Sequence, residues 1–335
     1  AGLLWFALFP PPVAAPSRTL VVLAPGTENV PGPAPGETWV ALPGAAPDAD
    51  VERVPDLGTA LRRHPAFDAV RACAKRSGGF YYDLPDHLVV YLPQGETPRA
   101  QQRLVITYDN LASRRELTRR MPWGHSFLEK EGYDILGVLA KRNIWFRDPL
   151  LFERLEALSE SGFFGEFAAV SAFGSSMGGY GALAFASLYP DATVLAFAPQ
   201  SSLARKIVPF ERRYPYARKQ GNWSGAYRDA AQGAAHAARS YILYDPYERE
   251  DAAHAARLAG AGSAVLLVAD PGLKASGMID AQTRYLLGAI AESLPGDPRP
   301  THYESLERID CRKWEYCQVD IIFRDANFKA VNAGG

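Results

Sequence analysis

The tightest constraint on this chain is a series of short, continuously apolar runs separated by longer stretches of helical pattern. The runs are LVVYLP (88–93), RLVITYD (103–109), DILGVLA (134–140), FAAVSAF (167–173), TVLAFAP (193–199), YILYD (241–245) and AVLLVAD (264–270). A strand with one wet face alternates apolar and polar residues, whereas a strand covered on both faces does not need to. Between the runs lie helical patterns at 149–161, 177–189, 251–260 and 278–294. Strands buried on both sides and alternating with helices predict an α/β fold, a mainly parallel sheet with helices packed on it.

Several segments stand outside that alternation. Residues 1–87 read as an irregular N-terminal region, rich in Pro, Gly and Ala over 24–50, with one short strand at TLVVLA (19–24). The core is expected over 88–295. Within it, 200–239 is longer than a crossover requires and is expected to form a cap-like insertion over the site. Residues 296–335 form a C-terminal extension with an edge strand expected at QVDIIF (318–323).

Composition narrows the function classes. A formal net charge of −1 over 335 residues excludes a broad electrostatic footprint for nucleic acid. The local basic cluster SRRELTRR (113–120) reads as a solvated helix face. Three cysteines imply no disulfide framework. The apolar opening, interrupted by Pro10, Pro11 and Pro12, falls short of the roughly 20 residues that span a bilayer. It reads equally as the remnant of an export signal or anchor, which would allow membrane contact, or as an arm packed on the body. Compartment and oligomeric state stay open.

One stretch carries chemistry. FAAVSAFGSSMGGYGALAFASLYP (167–190) reads as a buried strand, a glycine-bracketed serine and a helix. Gly174 and Gly178 flank Ser176 at minus two and plus two, and lacking Cβ atoms they permit a turn too tight for other residues. Such a turn lifts the Ser176 hydroxyl clear of the sheet at its carboxyl edge, where open α/β sheets bind ligands. The Met177 backbone N–H would then face a developing oxyanion from a helix N-terminus.

In these residues the sequence resembles the α/β-hydrolase superfamily, and SSMGGYGAL is similar to the nucleophile elbow of its serine esterases of the esterase D and feruloyl esterase type. The resemblance covers about residues 88–295. It implies a mainly parallel α/β-hydrolase sheet and a Ser, acid, His order along the chain. It also implies an oxyanion donor after the strand RLVITYD, which points to the backbone of Asn110 or its neighbours. The acid is expected at Asp245, with Asp251 as the alternative.

The expected histidine is missing. The loop after AVLLVAD reads PGLKASGMID, with Leu273 after Gly272 and no imidazole. Two histidines follow the expected acid, His302 in a Pro-rich loop and His254 within AAHAARL; His302 is preferred as base and His254 is the alternative. Two readings result. One is a serine hydrolase cleaving a small-molecule or glycan ester, or a thioester, with no cofactor. The other is a hydrolase fold that binds without turnover. No HExxH run or helically spaced histidine pair supports a metal site.

Overall fold

A computed structural model describes residues 19–23, 25, 37–46, 51–56, 59, 65–113, 119–244, 248–261 and 264–268. The helix expected at 278–294, the strand expected at 318–323 and the residues Asp245, Leu273 and His302 lie outside this set.

The apolar runs form the strands they were expected to form. In chain order the main sheet is built from β4 (Phe80–Asp83), β5 (His87–Leu92), β6 (Arg103–Tyr108), β7 (Asp134–Ala140), β8 (Ala169–Ser175), β9 (Thr193–Phe197), β10 (Arg239–Tyr244) and β11 (Ala264–Val268). Among the described residues this sheet has eight strands in the order β11-β10-β9-β8-β6-β7-β5-β4. β5 pairs antiparallel with β4 and β7, and every other pairing is parallel. A second, three-stranded parallel sheet joins β1 (Thr19–Leu23), β2 (Glu37–Ala41) and β3 (Glu52–Arg53).

Continuous apolarity follows from double coverage. β5 and β7 are buried at every position. Successive side chains alternate between two cores, with Val89, Tyr91, Ile106 and Leu136 on one face and Leu88, Val90, Val105 and Ile135 on the other. The first core is closed by α3 (Pro149–Glu160) and α4 (Met177–Ala184), the second by α1 (Asp68–Ser77) and α2 (His125–Lys130). α3 starts where Asp148 caps it, accepting from Leu150 N at 3.0 Å, with Pro149 in its first turn. Between β9 and β10, α5 (Pro215–Gln220) and α6 (Ala230–Ala234) punctuate the long connection. α7 (Arg249–Ala259) follows β10.

Two expectations are corrected here. The sheet starts at Phe80, because FYYD pairs with β5 in a hairpin whose partly exposed edge strand lacks the apolar signature used to find the others. The basic cluster does not end as a solvated face: Arg120 is buried and ion-paired with the equally buried Asp109, and also donates to Ala140 O at 3.3 Å.

Candidate active site

Ser176 sits between β8 and α4 with φ 53° and ψ −116°. A non-glycine residue adopts such angles only where its surroundings hold it, at a cost of about 1–3 kcal/mol. Here the holding contacts are steric. A Cβ on Gly174 would lie 2.2 Å from Gly178 C, and a Cβ on Gly178 would lie 2.4 Å from Tyr108 O and 2.9 Å from Asp109 O. The two glycines thus allow β8, the start of α4 and the end of β6 to touch backbone to backbone. Hydrogen bonds complete the turn, with Ser176 N donating to Phe197 O at 2.7 Å and Tyr180 N to Ser176 O at 3.0 Å.

The same close approach places the β6 end beside the first turn of α4. Neither Met177 N nor Asn110 N has a hydrogen-bond acceptor among the described residues. The Asn110 side chain is occupied locally, accepting from Ser113 N at 2.8 Å and Ser113 Oγ at 3.1 Å.

The Ser176 hydroxyl meets residues that the sequence did not single out. Its Oγ donates to Gln200 Oε1 at 3.4 Å. That amide oxygen also accepts from Trp145 Nε1 at 3.2 Å, while Gln200 Nε2 donates to Ala198 O at 3.2 Å. Indole N–H can only donate, so it settles which end of the amide faces Ser176. The Tyr214 ring packs on that indole, 4.6 Å between centroids. Burial pushes the Tyr214 pKa up, and the Arg213 charge pulls it back only in part. Trp145, Phe146 and Ala198 share positive φ with Ser176, at 53°, 56° and 40°. Strained backbone therefore gathers around Gln200 and the serine.

Beyond Tyr214 lies an ionic cluster in which Glu211, Asp251 and His254 are buried and Arg213 is exposed. Glu211 accepts from Arg213 N at 2.6 Å and Arg213 Nη2 at 2.7 Å, and pairs with His254 Nε2 at 3.0 Å. Arg213 Nη1 reaches Asp251 Oδ1 at 2.7 Å. Burial pushes the Glu211 carboxyl up, but the His254 and Arg213 hydrogen bonds outweigh it and bring the pKa down to about 2. Burial raises Asp251 against the charge of Arg213.

His254, the alternative base, is fully buried. Its Nδ1 accepts from Ser201 N at 3.0 Å, so in the neutral ring Nε2 carries the proton and donates to Glu211. Both ring nitrogens are therefore engaged away from Ser176. Asp251 likewise faces Arg213, and it does not cap its helix, whose N-cap residue is Glu248. The structure gathers Ser176, Met177 and the Asn110 segment, and it directs Asp251 and His254 into the adjoining cluster.

His87 and His125 belong to other surroundings. His87 Nδ1 pairs with Asp148 Oδ2 at 2.9 Å, and His125 Nδ1 lies 3.8 Å from Glu129 Oε2. Gln200 could have been found from strand order, since β9 lies beside β8 and residues just past its end must reach the elbow. Tyr214 carried only a local mark, the following Pro215, which disfavours helix at the residue before it.

No group of three or more His, Cys, Asp or Glu among the described residues could hold a metal ion. A mostly parallel sheet in this strand order, covered on both faces, with a strained serine where β8 turns into α4, defines an α/β-hydrolase fold.

No protein-family model and no curated protein matches the chain. Among solved structures it is similar to carboxyl esterase 2 of the mycorrhizal fungus Tuber melanosporum, with 13% identity over 63% of this chain and 83% of that one, at a TM-score of 0.41. It is also similar to the capsule O-acetyltransferase of Neisseria meningitidis serogroup A, with 14% identity over 63% of this chain and 93% of that one, at 0.43. A third is the fluorophosphonate-binding serine hydrolase F of Staphylococcus aureus, with 9% identity over 58% of this chain and 90% of that one, at 0.38.

Proposed function

We propose that this protein is a serine hydrolase that cleaves a carboxylic ester or thioester through an acyl-enzyme on Ser176. The observation that carries the reading is the strained conformation of Ser176 at the start of α4, φ 53° and ψ −116°, maintained by glycine contacts that admit no side chain. Such strain presents the hydroxyl at the carboxyl edge of the sheet and leaves Met177 N beside the position where negative charge develops. Asn110 N, one residue past the β6 backbone that touches Gly178, is the second donor of this reading.

Attack by Ser176 requires a base, because a serine hydroxyl is protonated at neutral pH. His302 is assigned that role and Asp245 the role of orienting it. The engagement of His254 with Ser201 and Glu211 supports His302 as base. The pairing of Asp251 with Arg213 supports Asp245 as acid. The substrate class is a small-molecule or glycan ester.

One observation favours a second reading. Among the described residues the hydrogen-bond partner of the Ser176 hydroxyl is an amide, which does not accept a proton at neutral pH. A fold that binds esters without cutting them would keep this arrangement. Labelling of the intact protein with a fluorophosphonate probe separates the two. Loss of label in Ser176→Ala supports the acyl-enzyme reading, persistence of label in that variant refutes it, and an unlabelled native protein favours binding without turnover.

A further inference from the structure

We propose that the insertion between β9 and β10 is a binding surface for an acidic polysaccharide, and that the ester cleaved at Ser176 is an O-acyl group on that polymer. This substrate class rests on the reading of Ser176 as nucleophile. The chain as a whole is balanced, with 36 Lys and Arg against 37 Asp and Glu. Residues 205–229 depart from that balance, with seven basic residues and only two acids, Glu211 and Asp229. Both acids are engaged within the fold, Glu211 with Arg213 and His254, and Asp229 with Arg257 at 2.8 Å. Arg205, Lys206, Arg212, Lys219 and Arg228 are exposed, and their side chains have no ion-pair or hydrogen-bond partner among the described residues. Like charges gathered on one short segment repel one another and raise the local concentration of a ligand of opposite sign. A polyanion is the ligand that relieves this repulsion at several of these cations at once.

These cations share one compact unit beside the serine. Arg218 ties the insertion together, its Nε donating to Leu203 O at 2.9 Å and its Nη2 to Glu211 O. Ser202 Oγ donates to Arg228 O at 2.6 Å and Ala230 N to Ser201 O at 2.8 Å, so the far end of the insertion returns to the residues just past Gln200. Gln200 accepts from Ser176 Oγ at 3.4 Å, which anchors the insertion one hydrogen bond from the nucleophile. Tyr216, 55% exposed in the first turn of α5, adds a ring with an apolar face and a polar tip among the cations. An acidic polysaccharide matches the combination: its hydroxyls carry acyl esters, its carboxylates meet the cations, and its sugar rings offer C–H faces to Tyr216. In the reaction the Ser176 oxygen takes the acyl group, and the sugar oxygen leaves with the serine proton delivered through the base. Water then releases the acyl group from Ser176 as a carboxylic acid.

Acetylated polygalacturonate and acetylated glucomannan, which is neutral, test the surface, with an aryl acetate as the small reference substrate. At low salt the native protein is expected to show a KM about tenfold lower, per acetyl group, on the acidic polymer. That difference should vanish between about 0.01 M and about 1 M salt, over which the Debye length falls from about 30 Å to about 3 Å. Replacing Arg205→Gln, Lys206→Gln, Arg212→Gln and Lys219→Gln together should raise KM on the acidic polymer about tenfold and leave kcat on the aryl acetate within about twofold. Equal KM on the two polymers at low salt overturns the surface, as does a preference that neither salt nor the four substitutions reduce. Retention on phosphatidylserine vesicles that the variant loses, beside no preference between the polymers, overturns the polysaccharide in favour of a membrane. In each of these cases aryl acetate turnover that depends on Ser176 leaves the nucleophile standing. Turnover by Ser176→Ala, or a native protein that cleaves no ester, overturns the nucleophile reading and this substrate class with it.

Discussion

Gly178→Ala isolates the sterics that hold the elbow. A Cβ at this position would lie 2.4 Å from Tyr108 O, against an ordinary contact distance of 3.4 Å or more, so α4 and the end of β6 must part by about 1 Å. The second obstacle, Asp109 O at 2.9 Å, is also backbone and cannot swing aside. Helix propensity alone favours alanine over glycine by about 1 kcal/mol, so a net loss of stability is itself the signature of the clash. Overpacking against rigid backbone costs about 3 kcal/mol, which leaves a net destabilisation of about 2 kcal/mol. A displacement of about 1 Å at the reacting group lowers rate by about 100-fold. The assays are urea unfolding and the rate of fluorophosphonate labelling. Gly165→Ala is the control, since nothing lies within 4 Å of a Cβ there, and its stability should stay within about 0.5 kcal/mol of native. A Gly178→Ala protein as stable as native, labelling at the native rate, would refute the steric account of the elbow.

The Glu211 cluster should make stability depend on acid. Its folded pKa of about 2 lies below the ordinary 4.5, so its contribution is present above about pH 4.5 and lost as pH falls toward 2. The shift corresponds to about 3 kcal/mol. Urea midpoints of native and Glu211→Gln proteins should therefore differ at pH 7 and converge toward pH 2, and a difference that does not change with pH counts against the carboxylate as the source. His302→Ala should lower kcat/KM by about three orders of magnitude if His302 is the base, measured on an aryl acetate. A loss smaller than about tenfold transfers the role elsewhere.

Much of this architecture was legible from the chain alone, because double burial leaves a plain mark on sequence. β5 and β7 are apolar throughout since both faces are covered, and Gly174 and Gly178 stand at the spacing that a strand-to-helix serine turn demands. β4 escaped notice because an edge strand with partly exposed residues lacks that mark. Arg120 escaped notice as a buried residue because its partner, Asp109, lies on a different element, and charge alone reads as surface.

The site divides along the same line. Ser176, Met177 and the Asn110 segment were accessible because the elbow is local, set by residues within a few positions of one another and by the end of a neighbouring strand. Gln200 was open only to an argument from strand order, and Trp145 and Tyr214 carried no motif, since Trp145 reaches Gln200 from 55 positions away and Tyr214 packs on Trp145. His254 and Asp251 looked like free candidates for base and acid because sequence shows residue type but not hydrogen-bond partners. Their ring nitrogens and carboxylate are committed to Ser201, Glu211 and Arg213. The sequence by itself determined a doubly covered sheet and the place of a strained serine, since burial and backbone sterics act through local residue types. Only the tertiary structure decided what surrounds that serine, since side-chain partners are chosen by packing between elements distant along the chain.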